Sequence, residues 1–289
     1  MVWILLLFIL ITIVLLWIVH DISHFQKVFY TFESPKLHRD LKMIFLSDLH
    51  NNKYGPDNAQ LIHAIEEENP DLILVGGDML NAKKSGSDDY GQKMDHAVQL
   101  LRYLSEHYTV YHALGNHEDR ARNHPEKYGK LYVEYVSRLP KVHFLDNDSV
   151  LLDEYGIRLS GLSLRKKWYL HFQKEQPSVS ELEQCCGKVE EERFEILLAH
   201  HPDYFSAYEK YGADLILAGH VHGGIVRLPL LGGVISPSLR LFPKYDSGLF
   251  TGKDPSVHMI ISRGLGVHSI KVRLFNPGEL TICNLKQIR

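Results

Sequence analysis

Five short groups along this chain carry residue types that ligate metals. They are Asp48-Leu49-His50, Gly76-Gly77-Asp78, Gly115-Asn116-His117-Glu118, Ala199-His200-His201-Pro202 and Gly219-His220-Val221-His222. Together they offer two aspartates, several imidazoles and one amide oxygen, a donor set suited to borderline or hard divalent ions such as Mn, Fe or Zn. No cysteine lies in these groups, which argues against a structural zinc knuckle. Two divalent ions would bring more positive charge than two aspartates cancel, and the surplus suits a phosphate oxyanion. Such a pair would also acidify a shared water near neutral pH and stabilise both attacking and leaving oxygens.

The groups need elements that deliver them to one place. Each follows a short aliphatic run: Met-Ile-Phe-Leu-Ser at 43–47, Leu-Ile-Leu-Val at 72–75, Val-Tyr-His-Ala-Leu at 110–114, Ile-Leu-Leu-Ala at 196–199 and Leu-Ile-Leu-Ala at 215–218. Runs of this length and composition read as buried strands. In open α/β sheets the crevice beyond the strand C-termini is the ligand site. Helices are expected over 57–68, 94–107 and 127–138, and a polar surface loop over 81–91. No fixed-period repeat is present. The two halves suggest an α/β architecture of two mixed β-sheets packed face to face with flanking helices.

The motifs Asp-x-His, Gly-Asp, Gly-Asn-His-Glu, His-x-Pro and Gly-His-x-His, in this order, resemble the calcineurin-like metallophosphoesterase superfamily. Ser-Arg-Gly-Leu-Gly at 262–266, the stretch 273–280 and Gly-Gly-Ile-Val-Arg-Leu-Pro at 223–229 are similar to its membrane-associated branch, which includes YkuE-like and YaeI-like phosphodiesterases. The resemblance covers nearly all of the chain after residue 40. It implies a four-layer α/β/β/α sandwich over 41–289 and two divalent metal ions. By the same resemblance Asp48, His50 and His222 hold one ion, Asn116, His200 and His220 hold the other, and Asp78 bridges them. His117 matches the non-ligand histidine that contacts the scissile phosphate or protonates the leaving group. Glu118 stands where an aspartate commonly orients that histidine, and is expected to reach the same ring. His201 adjoins His200, and neighbouring strand residues face opposite ways, so the register selects His200.

Other side chains are candidates for substrate. Arg120 and Arg122 follow the Gly-Asn-His-Glu group and could bind phosphate, or could be solvated at a helix entrance. Arg263 lies in the family-like turn and is the strongest further candidate. His258 and His268 flank that turn. Trp168 and Tyr169, among basic residues, could meet a membrane interface or cover the core. The stretch 237–252 is a candidate substrate cap.

Composition bounds the rest. The 289 residues suit one large domain with an appendage, and the net charge of -3 argues against a broadly basic nucleic-acid binder. The three cysteines make no disulfide framework. Val2 to Val19 is apolar except for Thr12, long enough for a bilayer core. Without a basic leader or a small-x-small cleavage site it reads as a retained anchor over 1–24, followed by a tether over 25–40. Lys27, Lys36, Arg39 and Lys42 all follow it, which places the domain on the cytoplasmic face by the positive-inside rule.

The expectation is a membrane-anchored, dinuclear metal-dependent phosphoesterase. It would cut phosphodiester or pyrophosphate bonds in a phosphorylated small molecule or a lipid-linked substrate, such as UDP-2,3-diacylglucosamine. No nucleic acid and no obligate protein partner is expected. A protein serine/threonine phosphatase is the alternative enzyme, although Leu114 stands where that group's signature has arginine. A non-catalytic metal-binding scaffold is the alternative of another class, and the intact ligand positions argue against it.

Overall fold

In β2 (Leu41–Leu46), Met43 and Phe45 enter one apolar cluster, Ile44 and Leu46 another, and all four are buried. A strand buried on both faces needs a layer on each side. The computed structural model supplies those layers; it describes the chain except residues 83–89, 165, 170–174, 229, 237–239, 268–270 and 289.

Strands are numbered in chain order. The first sheet runs β1 (Phe25–Ser34), β14 (Gly278–Gln287), β2, β3 (Leu72–Val75), β4 (Thr109–Ala113) and β5 (His143–Leu145). The second runs β12 (Gly248–Thr251), β13 (His258–Ile261), β9 (Leu215–Ala218), β8 (Phe194–Ala199), β7 (Ile157–Leu162) and β6 (Asp148–Leu152). A separate antiparallel pair joins β10 (Val226–Leu228) to β11 (Gly232–Ile235). The run β2-β3-β4-β5 is parallel, as is β7-β8-β9-β13. All the strands that end in ligand groups therefore finish on the same edge of their sheet.

Met43, Phe45 and Leu74 of the first sheet meet Leu159, Ile196, Leu198 and Leu217 of the second in one buried cluster. The helices Ala59–Glu68, Gly91–His107 and Leu131–Ser137 cover the outer face of the first sheet, and Val179–Cys186 and Phe205–Tyr211 cover that of the second. This is the expected four-layer sandwich. The helix expected over 127–138 is broken: Pro125–Tyr128 and Leu131–Ser137 are separated at Gly129, whose φ of 57° no helix accommodates.

Val2–Ser23 is one helix, long and apolar enough to cross a membrane, and exposed along nearly its whole length. Its last turn departs from that pattern. Asp21 is buried, and its Oδ2 accepts the Asn276 backbone N–H at 2.8 Å. Trp17 packs edge-on against Phe275, with ring centroids 4.9 Å apart.

The tether expected over 25–40 is corrected. Phe25–Ser34 is a full strand, paired in parallel with β14 from Phe25↔Gly278 to Ser34↔Gln287. Its mixed polar and aromatic residues are only half-buried because it is an edge strand, which hid it from an apolar-run search. The helix thus opens directly into the first sheet.

Candidate metal centre

Asp48 and His50 follow β2, Asp78 follows β3, Asn116 follows β4, His200 follows β8, and His220 and His222 follow β9. Backbone bonds knit these ends together: Asp48 N–H to Gly77 C=O at 2.9 Å, His50 N–H to Asp78 C=O at 2.9 Å, and Gly219 N–H to His200 C=O at 3.1 Å. Five of the seven expected ligands, Asp48, His50, Asp78, His220 and His222, have φ between 46° and 73°. Left-handed backbone costs energy in non-glycine residues and gathers where function needs it. Here it turns alternate residues toward one cavity. Gly77 and Gly219 provide the close approaches. A Cβ on Gly77 would sit 2.1 Å from the Gly115 nitrogen, and one on Gly219 would sit 2.1 Å from Asp48 Oδ2.

The donors form two linked groups. In the first, His222 Nε2 lies 3.2 Å from Asp48 Oδ1 and 3.1 Å from His50 Nε2. In the second, Asp78, His200 and His220 converge, with His200 Nε2 3.2 Å from Asp78 Oδ2. Asp78 Oδ2 is also 3.8 Å from His50 Nε2, and Asp48 Oδ1 is 3.8 Å from His200 Nε2, so each aspartate reaches across from its own group to the other. Ligands held roughly 2.0–2.2 Å from one ion lie about 3–3.6 Å apart, and the closest pairs have that spacing. Asn116 Oδ1 is buried without a hydrogen-bond partner among the described residues, as suits an amide oxygen that could ligate a cation. The residues fit divalent ions.

Two histidines show their tautomers through backbone contacts. His200 Nδ1 lies 2.8 Å from the Gly76 carbonyl. It must donate there, which leaves the Nε2 lone pair facing Asp78 for a metal. His117 is reversed. The Ala82 N–H donates to its Nδ1 at 2.9 Å, so in the neutral ring Nε2 carries the proton and offers no lone pair. His117 can donate a proton toward the cluster where His200 can coordinate, although its ring stands 4.5 Å from that of His50 and within reach of Asp78.

Electrostatics show the same demand for positive charge. Burial pushes the Asp48 carboxyl up to about 6, against the pull of His200. Burial acts in the same direction on Asp78, but the charges of His200, His117 and His50 hold it well below the usual carboxylate range. Burial opposes a charged His200, yet Asp78 and Asp48 together raise it to about 10. The two carboxylates that raise His200 would draw a metal cation to the same place.

Glu118 does not reach the His117 ring. Its Oε1 accepts the backbone N–H groups of Met79 (2.8 Å) and Leu80 (3.1 Å), and its Oε2 those of Asp78 (2.8 Å) and Gly115 (3.1 Å). The longer arm clamps the loop after β3 to the helix Asn116–Asn123. Burial and the charge of Asp78 push its carboxyl up to about 7, against those donors. Glu118→Gln would turn an amide NH₂ toward two buried donors, so we expect a loss of about 2 kcal/mol or more in denaturant unfolding. Unchanged stability with reduced turnover would instead restore the histidine-orienting role.

The arginines are corrected in part. Arg122 is held by Asp119 (2.8 Å) and by Asp146, so its charge is already paired. The Arg263 guanidinium turns toward Glu279, 3.3 Å away, and the Gln26 amide oxygen, bracing β14 and β1 rather than facing the ligands. Arg120 lies exposed one turn beyond Asn116. His258 pairs with Leu215 at the start of β13, three residues before that strand's site-facing end, and His268 lies outside the described residues. Trp168 is buried in the core, its carbonyl accepting the Tyr204 hydroxyl at 2.6 Å, so it covers the core. The Tyr169 ring lies tilted against those of His201 and His220, with centroids 5.5 and 5.7 Å away.

Supporting residues emerge that the motifs did not announce. Ser47 Oγ donates to Asp48 Oδ2 at 2.6 Å. Arg273 is buried, gathers the carbonyls of Arg263, Gly264 and Gly266, and comes within 3.5 Å of His222 Nδ1. Asn276 Nδ2 donates to the carbonyls of His222 (2.7 Å) and Gly224 (2.6 Å). Both lie in 273–280, where only family resemblance singled out the segment.

A family model described as calcineurin-like phosphoesterase matches residues 41–224. The chain is similar to an uncharacterized metallophosphoesterase of Helicobacter pylori, 26% identical over 255 residues that make up 86% of this chain and 61% of that protein. It is 27% identical over 253 residues to the uncharacterized metallophosphoesterase YkuE of Bacillus subtilis, covering 85% of this chain and 79% of that one. It is 24% identical over 230 residues to the phosphodiesterase YaeI of Escherichia coli, covering 78% and 75%. The chain thus spans less than two thirds of the Helicobacter protein and about three quarters of the other two.

Proposed function

Because this chain belongs to the calcineurin-like phosphoesterase family, we propose that its strand-end site is a two-metal centre that hydrolyses phosphodiester or pyrophosphate bonds in a lipid-linked substrate. The observation that carries this reading is the pair of donor groups sharing Asp78, with His117 beside them and protonated toward them. Asp48, His50 and His222 would hold one ion, and Asn116, His200 and His220 the other, with Asp78 common to both. Ions of the Mn, Fe or Zn class would activate water and neutralise charge on the phosphoryl oxygens. His117 Nε2–H would donate a hydrogen bond to the departing or phosphoryl oxygen, and the Ala82 N–H at Nδ1 would keep that nitrogen aimed. Arg120, exposed beyond Asn116, would meet a phosphate on its way in.

The helix Val2–Ser23 would hold this site at a bilayer. The cations after it favour the cytoplasmic face. A bilayer position brings a phosphorylated lipid headgroup, the class that includes UDP-2,3-diacylglucosamine, within reach of the centre, and the phosphodiesterase name of the Escherichia coli relative supports a diester. Protein stripped with chelator should be inactive, and added Mn should restore hydrolysis of bis-p-nitrophenyl phosphate in preference to p-nitrophenyl phosphate. A preference for the monoester, or for a phosphopeptide, would turn the reading toward a protein phosphatase.

A further inference from the structure

Eleven large apolar side chains after residue 23 are exposed among the described residues, and six of them belong to one stretch of surface: Leu228, Leu230, Leu231, Leu241, Phe242 and Phe275. Leu230 is wholly exposed. An apolar concentration of this kind on a soluble face calls for a partner.

Its position relative to the helix identifies that partner. Phe275 packs on Trp17. Trp17 lies six residues before Ser23, about 9 Å back along the helix axis, and near the end of the apolar run. A tryptophan there belongs at the headgroup level of a bilayer. Whatever touches it shares that depth, so Phe275 does. Phe275 also lines an open groove of about 620 Å³ with Leu228, Leu230, Leu231 and Lys244. Lys244 is exposed, with its ammonium 4.7 Å from the Tyr245 ring centroid. Leucines beside a lysine and aromatics match the boundary between acyl chains and anionic headgroups.

The same stretch is fastened to the ligands. Arg227 Nη1 donates to the Gly223 carbonyl at 3.1 Å, and Ile225 N–H donates to the Ile235 carbonyl at 2.6 Å. Val226 begins its strand four residues after His222.

We infer that β10, β11, Leu241, Phe242 and Phe275 form a second membrane contact beside the anchor helix, and that it seats the ligand loop 219–224 at the lipid surface. The inference rests on the anchored reading of the site and deepens it. The centre faces lipid headgroups because the loop that carries two of its histidines continues into the bilayer-contacting pair.

The test uses full-length protein in phosphatidylcholine/phosphatidylglycerol vesicles. A nitroxide at Leu230→Cys, with Cys185→Ser and the buried Cys186 and Cys283 left in place, reports whether oxygen or a water-soluble nickel chelate relaxes it more. A label at Val133→Cys, an exposed position on the helix Leu131–Ser137, is the aqueous control. Oxygen should dominate at 230 and nickel at 133. Nickel dominance at both would overturn the inference. Protection of the 230 label from both reagents would overturn it in favour of a second copy of the chain. In parallel, L230E/L231E should lower hydrolysis of a diacylglycerol p-nitrophenyl phosphodiester in those vesicles about tenfold, with bis-p-nitrophenyl phosphate cleaved at the unaltered rate. A lipid-exposed label in a protein without diesterase activity would sink the proposed reaction and leave the membrane contact standing. A water-exposed label in an active diesterase would do the reverse.

Discussion

Asp78→Asn is expected to reduce the metal content of reloaded protein from about two ions per chain to one or fewer, and to lower turnover by more than about 100-fold. Loss of a residue that merely supports a ligand already costs roughly 10- to 100-fold in affinity or activity, and Asp78 Oδ2 stands between the donor groups, 3.2 Å from His200 and 3.8 Å from His50. Its Oδ1 also accepts the His117 backbone N–H at 2.7 Å, so the carboxylate fixes the start of the following helix as well. An amide there would turn NH₂ toward one of these partners. Elemental analysis after chelation and reloading with Mn, beside the rate on bis-p-nitrophenyl phosphate, measures both effects. Full metal content in the variant would remove Asp78 from the shared position.

His117→Ala should behave differently. Metal content should stay at the wild-type level while turnover drops on the order of 100- to 1,000-fold, the range for losing one donor that stabilises developing charge. The reason is the Ala82 N–H at Nδ1, which leaves Nε2 a donor. The leaving group sharpens the expectation. A nitrophenolate departs without needing a proton, so the loss should be smaller for nitrophenyl diesters than for alkyl diesters. A variant that loses metal would make His117 a ligand and would require the opposite tautomer.

The convergence of these donors was readable because each follows a strand that announces itself. Leu-Ile-Leu-Val before Asp78 and Leu-Ile-Leu-Ala before His220 are buried on both faces and cannot carry polar residues until they end. The order of the motifs then did the rest, and the sandwich followed from two such parallel runs. Glu118 was misread because spacing reports only what lies nearby on the chain. Its partners are backbone N–H groups some forty residues upstream, and a backbone donor leaves no trace in residue types. Arg273 and Asn276 were obscure for the same reason: they grip carbonyls. Arg263 sits at the expected turn, but its long arm folds back to Glu279 and Gln26, a direction that no spacing encodes. For β1 a signal existed. Phe25-Gln-Lys-Val-Phe-Tyr-Thr-Phe is rich in aromatic and β-branched residues, the composition of a half-exposed strand, and proximity to the apolar helix drew it into the tether.

The buried carboxylate in the last turn of the helix decides where a detergent-free fragment can begin. Removing residues 1–24 would delete Asp21 and leave the Asn276 N–H enclosed with no acceptor, at about 1–3 kcal/mol. The same asparagine fastens the His222 and Gly224 carbonyls, so the damage would surface as a loosened histidine rather than as lost solubility. A fragment starting at Val19 or His20 discards the greasy run and keeps the acid. The division between the exposed apolar run and the part of the helix that belongs to the folded domain therefore falls inside the helix, a turn before its end.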